Sequence, residues 1–157
     1  MTEIDDGAGV AATTTEDELR IVQFNATAEG FGMVMDYVGR QLPFARFEAG
    51  ILIDAIYQQL SYGHNLIALR RDRLVGYAGW MLTSTELAEA WVAGHGKLIR
   101  KDGAEATAAA LTIVASQDRA AIARLMRGAR RLNPGKRAYF KRGADGNKPE
   151  RKRSARI

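Results

Sequence analysis

The chain has 157 residues, 46% of them apolar and 26% charged, with a formal net charge of +5; this is about one soluble domain, with apolar surface for a core of its own. No cysteine is present, which excludes a disulfide framework, thiolate zinc sites, iron–sulfur clusters and a cysteine nucleophile. With only His64 and His95 as imidazoles, a metal site would have to lean on carboxylates.

Residues 1–17 are acidic and polar with no periodic apolar pattern, so they are expected to be disordered, and they lack the features of a secretory or transit peptide. Leu19 to Phe24 reads as a short strand or a helix entry. Phe31, Val34, Tyr37 and Val38 recur at helical spacing within Glu29–Gln41, and Pro43 ends that pattern. A second helix fits Glu48–Tyr62, with Ile51, Leu52, Ala55, Ile56 and Leu60 on its apolar side and Gly63 placed to terminate it.

Leu66–Leu69 and Leu74–Leu82 are two apolar runs joined by the polar turn Arg71-Asp72-Arg73, an antiparallel hairpin. Thr83 and Glu86 have capping-box spacing and open a helix to about Ala93. A loop over 94–106 leads to Thr107–Ala115, an apolar run of strand length expected at the centre of the sheet. Ser116 begins a helix of about 16 residues that Asn133-Pro134-Gly135 stops. Lys136–Arg142 is a last strand, and 143–157 a charged tail. No run approaches the roughly 18 apolar residues of a membrane span, so a cytoplasmic protein is expected.

This order predicts one α/β (α+β) domain over 18–142, a mixed, largely antiparallel sheet with helices on its faces. The charge is uneven. Residues 124–157 hold thirteen bases and two acids, while 1–123 hold ten bases and sixteen acids. A basic end on an acidic body points to an anionic partner, or else to a solvated tail that aids solubility. A nucleic acid bound through the tail RKRSAR is the weakest of these partners, because such stretches bind phosphate without a specific site.

From Phe31 to Trp80 the chain combines a helix ending near QLPFARF, a second closing on QQLSYGHNLIAL, and the hairpin RRDRLVGYAGWMLT. With the later strand LTIVAS and the basic segment RRLNPGKRAYFKRGADG, it resembles the bacterial lysine acyltransferases that activate RTX toxins, over about residues 30–146. The resemblance implies a GNAT-like fold. It also implies transfer of a fatty acyl group from acyl carrier protein to an internal lysine of a protein substrate, with no resident cofactor and a homodimeric state. Arg127, Arg130, Arg131, Lys136 and Arg137 would dock the acidic carrier. The positions matching the family's catalytic histidine and aspartate are Phe44 and Thr112, neither of which can do that chemistry. A catalytically degenerate binding module of the same fold is the alternative.

His64 is the remaining base, between Gly63 and Asn65; a cationic cap at the helix end is its bland role. Trp80, with Tyr77, is expected in the core or along an acyl channel. His95, within Gly94-His95-Gly96-Lys97, reads as a solvated loop residue, since that stretch lacks the spacing of a phosphate loop.

Overall fold

A computed structural model describes residues 18–141 and the backbone of 152–156; the acidic segment 1–17 lies outside the described residues. Six strands form one sheet in the order β1 to β6: β1 (Arg20–Val22), β2 (Asn65–Arg70), β3 (Arg73–Thr83), β4 (Ala108–Ala115), β5 (Arg137–Lys141) and β6 (Lys152–Arg156). Neighbours are antiparallel except β4 and β5, which run parallel, so the sheet is mixed as expected. The helices are α1 (Ala28–Gly39), α2 (Ala49–Ser61), α3 (Thr85–Ala93) and α4 (Arg119–Leu132). None of the described helices is long and apolar enough to cross a membrane.

The hairpin forms where the two apolar runs predicted it. Its turn holds Arg71 and Asp72 at φ 51° and 57°, the left-handed pair of a two-residue loop. Two details differ from the sequence reading. The cap of α3 is Ser84, whose hydroxyl accepts from the Leu87 N–H, whereas Thr83 completes β3 and donates to the Ile99 carbonyl at 2.7 Å. Thr83 is the last residue of β3, so the cap falls one residue later, and with Leu87 at the third helical position no reciprocal box forms. The expected tail 143–157 contains β6, which pairs with β5 from Arg137↔Arg156 to Lys141↔Lys152. Backbone pairing outweighs the basic composition there, because charged side chains are tolerated on an edge strand.

The sheet has two covered faces. On one, α4 lays Ala121, Leu125 and Ala129 against Leu66, Ala68, Ala78, Trp80, Ala109 and Leu111. Gly128 lets it approach closely, since a Cβ there would stand 2.6 Å from the Leu66 side chain. On the other, α1 and α2 bring Val34, Val38, Leu52, Ile56 and Leu60 over Ile67, Leu69, Tyr77 and Ile113.

Ala109 and Leu111 face α4 while Ile113 and Ala115 face α1 and α2, although all four are odd-numbered. The register explains it: Trp80 pairs with Leu111 and Gly79 with Ile113, so Thr112 is an extra residue in β4. Such a bulge reverses the alternation and re-aims one side chain.

Candidate functional site

β2 begins at Asn65, opposite Gly79, but β3 continues to Thr83. The end of β3 therefore lacks a β2 partner, and a cavity of about 200 Å³ opens there between α2, β3, β4 and the 98–100 loop. Its walls are largely apolar (Phe47, Ile51, Leu52, Ala55, Met81 and Leu98 among them), with Gln58, Gln59, Tyr62, His64, Arg100 and Thr112 bringing polar groups.

His64 stacks between two rings, Tyr62 at 5.9 Å and Trp80 at 6.1 Å between centroids. The Arg100 guanidinium lies 4.1 Å over the Tyr62 ring and is ion-paired with Asp102. Burial, and next the Arg100 charge, hold the His64 imidazole below the ordinary histidine range, with Asp102 opposing. His64 is thus neutral at physiological pH and able to accept a proton. Among the described residues its ring makes no hydrogen bond to a carboxylate.

Beneath the cavity runs a buried polar chain. The Tyr77 hydroxyl donates to Gln59 Oε1 at 2.8 Å, and Gln59 Nε2 donates to Thr112 Oγ1 at 2.7 Å. Burial pushes the Tyr77 phenol far up, so it stays protonated and remains a donor. Gly79 makes room for this chain: a Cβ there would fall 1.9 Å from Gln59 Oε1. Trp80 is 1% exposed, and its Nε1–H has no partner among the described residues.

The residues singled out in the sequence are only partly brought together. His64, Trp80 and Thr112 share the cavity. Phe44 does not line it. It sits in a short 3-10 turn, Phe44–Arg46, 7% exposed, with its ring in the core beside Val34, Val38 and Leu52. An apolar ring at that turn gains more from burial under α1 and α2 than from facing an open cavity. Phe47, edge-on to it at 5.4 Å, lines the cavity instead.

The basic set is also divided. Arg127 and Arg131, joined by Arg124, line an open groove of about 530 Å³ between α4 and the β1 edge, with Gln23 on its wall. Arg130 lies apart, near Ala109 and Phe140. Arg137 is 3.6 Å from the Glu89 carboxylate, and Lys136 lies in the turn before β5. His95 is exposed beyond Gly94, the left-handed cap of α3.

Gln59 and Arg100 were missed from sequence. Gln59 carried a signal: it is a glutamine within the apolar side of α2, next to Ile56 and Leu60. Arg100, in an irregular loop, carried none.

No family model matches the chain, and no curated protein does. Solved structures do resemble it. The loading GNATL domain of CurA from Lyngbya majuscula is similar with a TM-score of 0.58 and 10% identity, over 83% of this chain and 67% of that one. The GphF GNAT-like decarboxylase, solved with isobutyryl-CoA, gives 0.57 and 16%, over 80% and 67%. Diaminobutyrate acetyltransferase EctA from Paenibacillus lautus, solved with its substrate and coenzyme A, gives 0.54 and 9%, over 80% and 66%. The chain thus has a GNAT-like fold, as the resemblance implied, and spans about two thirds of the length of each of these neighbours.

Coenzyme A, held by two of those neighbours, can be tested against the residues here. Among the described strands only β4 and β5 run parallel, so the β4–α4 turn is where a strand's carboxyl end meets a helix N-terminus, the usual seat of a diphosphate. The turn is Ser116-Gln117-Asp118-Arg119, without glycine. The Asp118 carboxylate accepts from the N–H groups of Ala120 and Ala121 at 2.9 and 3.2 Å, and from the Arg70 guanidinium at 3.0 Å. The Ala121 N–H and Arg70 hold Asp118 below the usual carboxylate range. A fixed negative charge already occupies the donors that a diphosphate would need. The group does not fit this turn.

Proposed function

We propose that the chain is an acyltransferase, moving a fatty acyl group from an acidic acyl carrier protein to a lysine of a protein substrate, as in the maturation of a protoxin. The observation that carries this reading is the apolar cavity with the neutral His64 at its wall. At about 200 Å³ it is smaller than the roughly 300–1,000 Å³ of drug-sized sites; it suits an acyl arm rather than a nucleotide. The GNAT-like fold agrees with group transfer to an amine, and Asp118 at the β4–α4 turn favours a carrier over coenzyme A.

In the step proposed, the lysine nitrogen attacks the thioester carbonyl carbon. The N–C bond forms, the C–S bond breaks, and sulfur leaves as a thiolate. His64 takes the proton that the amine loses and returns it to the thiolate. Holding amine and thioester together supplies several kcal/mol of the barrier before any proton moves. The carrier would dock on Arg124, Arg127 and Arg131. That groove lies close to the cavity, because Gln23 on its wall donates to the carbonyl of Gly63, the residue before His64.

A binding module remains the second reading, favoured by one observation: no described carboxylate orients His64. Incubation with an acylated carrier and a lysine-bearing protein, read by intact mass, separates the two. An acyl mass gained on the target supports transfer. Carrier binding without transfer supports the module, and the absence of both binding and transfer overturns both readings.

A further inference from the structure

The polar chain under the cavity has a direction, and the direction leaves the Thr112 hydroxyl hydrogen unspent. Tyr77 is fully buried and its hydroxyl finds one acceptor, Gln59 Oε1. Turning the Gln59 amide over would set its NH2 against the phenol and leave the buried phenol proton without an acceptor, the costlier arrangement. The oxygen of Gln59 therefore faces Tyr77, and its Nε2–H faces Thr112. Thr112 Oγ1 is thereby an acceptor, and its own hydrogen is not used within the chain. Thr112 is also the bulged residue of β4, half-buried, and it lines the cavity.

We propose that Thr112 donates its hydroxyl hydrogen to the carbonyl oxygen of an acyl group held in the cavity. The identity of the ligand rests on the acyl-transfer reading; the direction of the donor rests on the geometry alone. Tyr77 and Gln59 act as positioning residues. They fix the Thr112 oxygen as an acceptor on the side of Gln59, so its O–H turns toward the open side. A hydrogen bond accepted there polarises the carbonyl, and it strengthens as the oxygen gains negative charge during attack. A bulge is a fitting place for such a group, since bulges aim side chains next to functional sites. A threonine at a position where the sequence suggests a lost aspartate thus has a task of its own: donor to the acyl carbonyl rather than partner to a base.

The test uses the full chain and S-octanoyl-N-acetylcysteamine carrying 13C at its thioester carbonyl. Isotope-edited infrared spectroscopy reads the carbonyl stretch of the bound probe, and calorimetry reads its affinity. Thr112→Val keeps the β-branched shape and removes the donor; Thr112→Ser keeps the donor. The carbonyl band is expected at lower frequency in the parent and in Thr112→Ser than in Thr112→Val. Affinity in Thr112→Val falls about fivefold, the worth of one neutral hydrogen bond. A merely structural role would not move the carbonyl band. A bound probe whose band is the same in the parent and Thr112→Val overturns the assignment of Thr112 and leaves the acyl reading standing. A parent that binds no thioester overturns the acyl reading itself, and this proposal with it.

Discussion

Replacing Gly79 by alanine should damage both stability and the cavity. The new Cβ would stand 1.9 Å from Gln59 Oε1 and 2.3 Å from its Cδ, so the amide must move. Gln59 is 4% exposed and bonded at both ends, to Tyr77 and Thr112, so no movement keeps both bonds. Two hydrogen bonds lost at about 1 kcal/mol each, and a buried phenol orphaned at about 1–3 kcal/mol, give roughly 3–5 kcal/mol. At about 2–4 °C per kcal/mol for a domain of this size, Tm should fall by roughly 6–20 °C. Scanning calorimetry of the parent and Gly79→Ala measures it, and thioester binding should weaken in the same variant. A Tm within about 2 °C of the parent, less than 1 kcal/mol would produce, refutes the close approach of Gln59 to the strand.

Three further outcomes are expected. His64 has a folded pKa below its unfolded value of about 6.5, so the unfolded chain binds more protons in that window. Stability should then rise with pH between the folded and unfolded values; His64→Gln should flatten that limb of the curve, and an unchanged limb would refute the burial. Asp118→Gly should bind inorganic pyrophosphate by calorimetry where the parent does not, because glycine costs a cap little and frees the Ala120 and Ala121 N–H groups. Micromolar binding of pyrophosphate or coenzyme A by the parent would remove the argument against a diphosphate at that turn. Reversing Arg127 and Arg131 to glutamate should weaken binding of an acidic carrier, most at low salt where charges are least screened; affinity indifferent to both variant and salt would exclude this groove as the docking surface.

The elements themselves were legible because their signals are local. The hairpin arms are apolar runs around a polar turn, α2 has an apolar side of proper period, and α4 ends at Asn133-Pro134-Gly135. The site was less legible because its makers are relations between distant segments. The bulge at Thr112 lies within an almost uniformly apolar run, ALTIVA, so nothing in its pattern marks the reversal of faces. Phe44 and Phe47 are three residues apart with the same chemistry, and only the 3-10 turn decides which is buried. The five basic positions look like one patch in sequence, yet α4 turns Arg127 and Arg131 to one side and Arg130 to another.

The cavity owes its position to one buried side chain as much as to its walls. Asn65, fully buried, opens β2 and accepts from the Phe24 N–H at 2.9 Å while donating to the Phe24 carbonyl at 3.0 Å. Its Nδ2 also reaches the Gln59 carbonyl at 3.3 Å, and the same carbonyl accepts from the His64 N–H at 2.8 Å. The end of α2, the exit of β1 and the start of β2 are thereby tied at a point one residue from His64. That knot starts β2 late enough for the end of β3 to run on without a partner on the β2 side, and it holds His64 against Trp80 while Gln59, on the same helix end, is held against Thr112. A polar group buried at such cost is kept where loss of any partner would leave others unpaired. The base and the donor of the proposed site therefore share one support. Their spacing is set by regular elements rather than by the loop over 94–106, and sites built on such elements are held more precisely than sites built on loops.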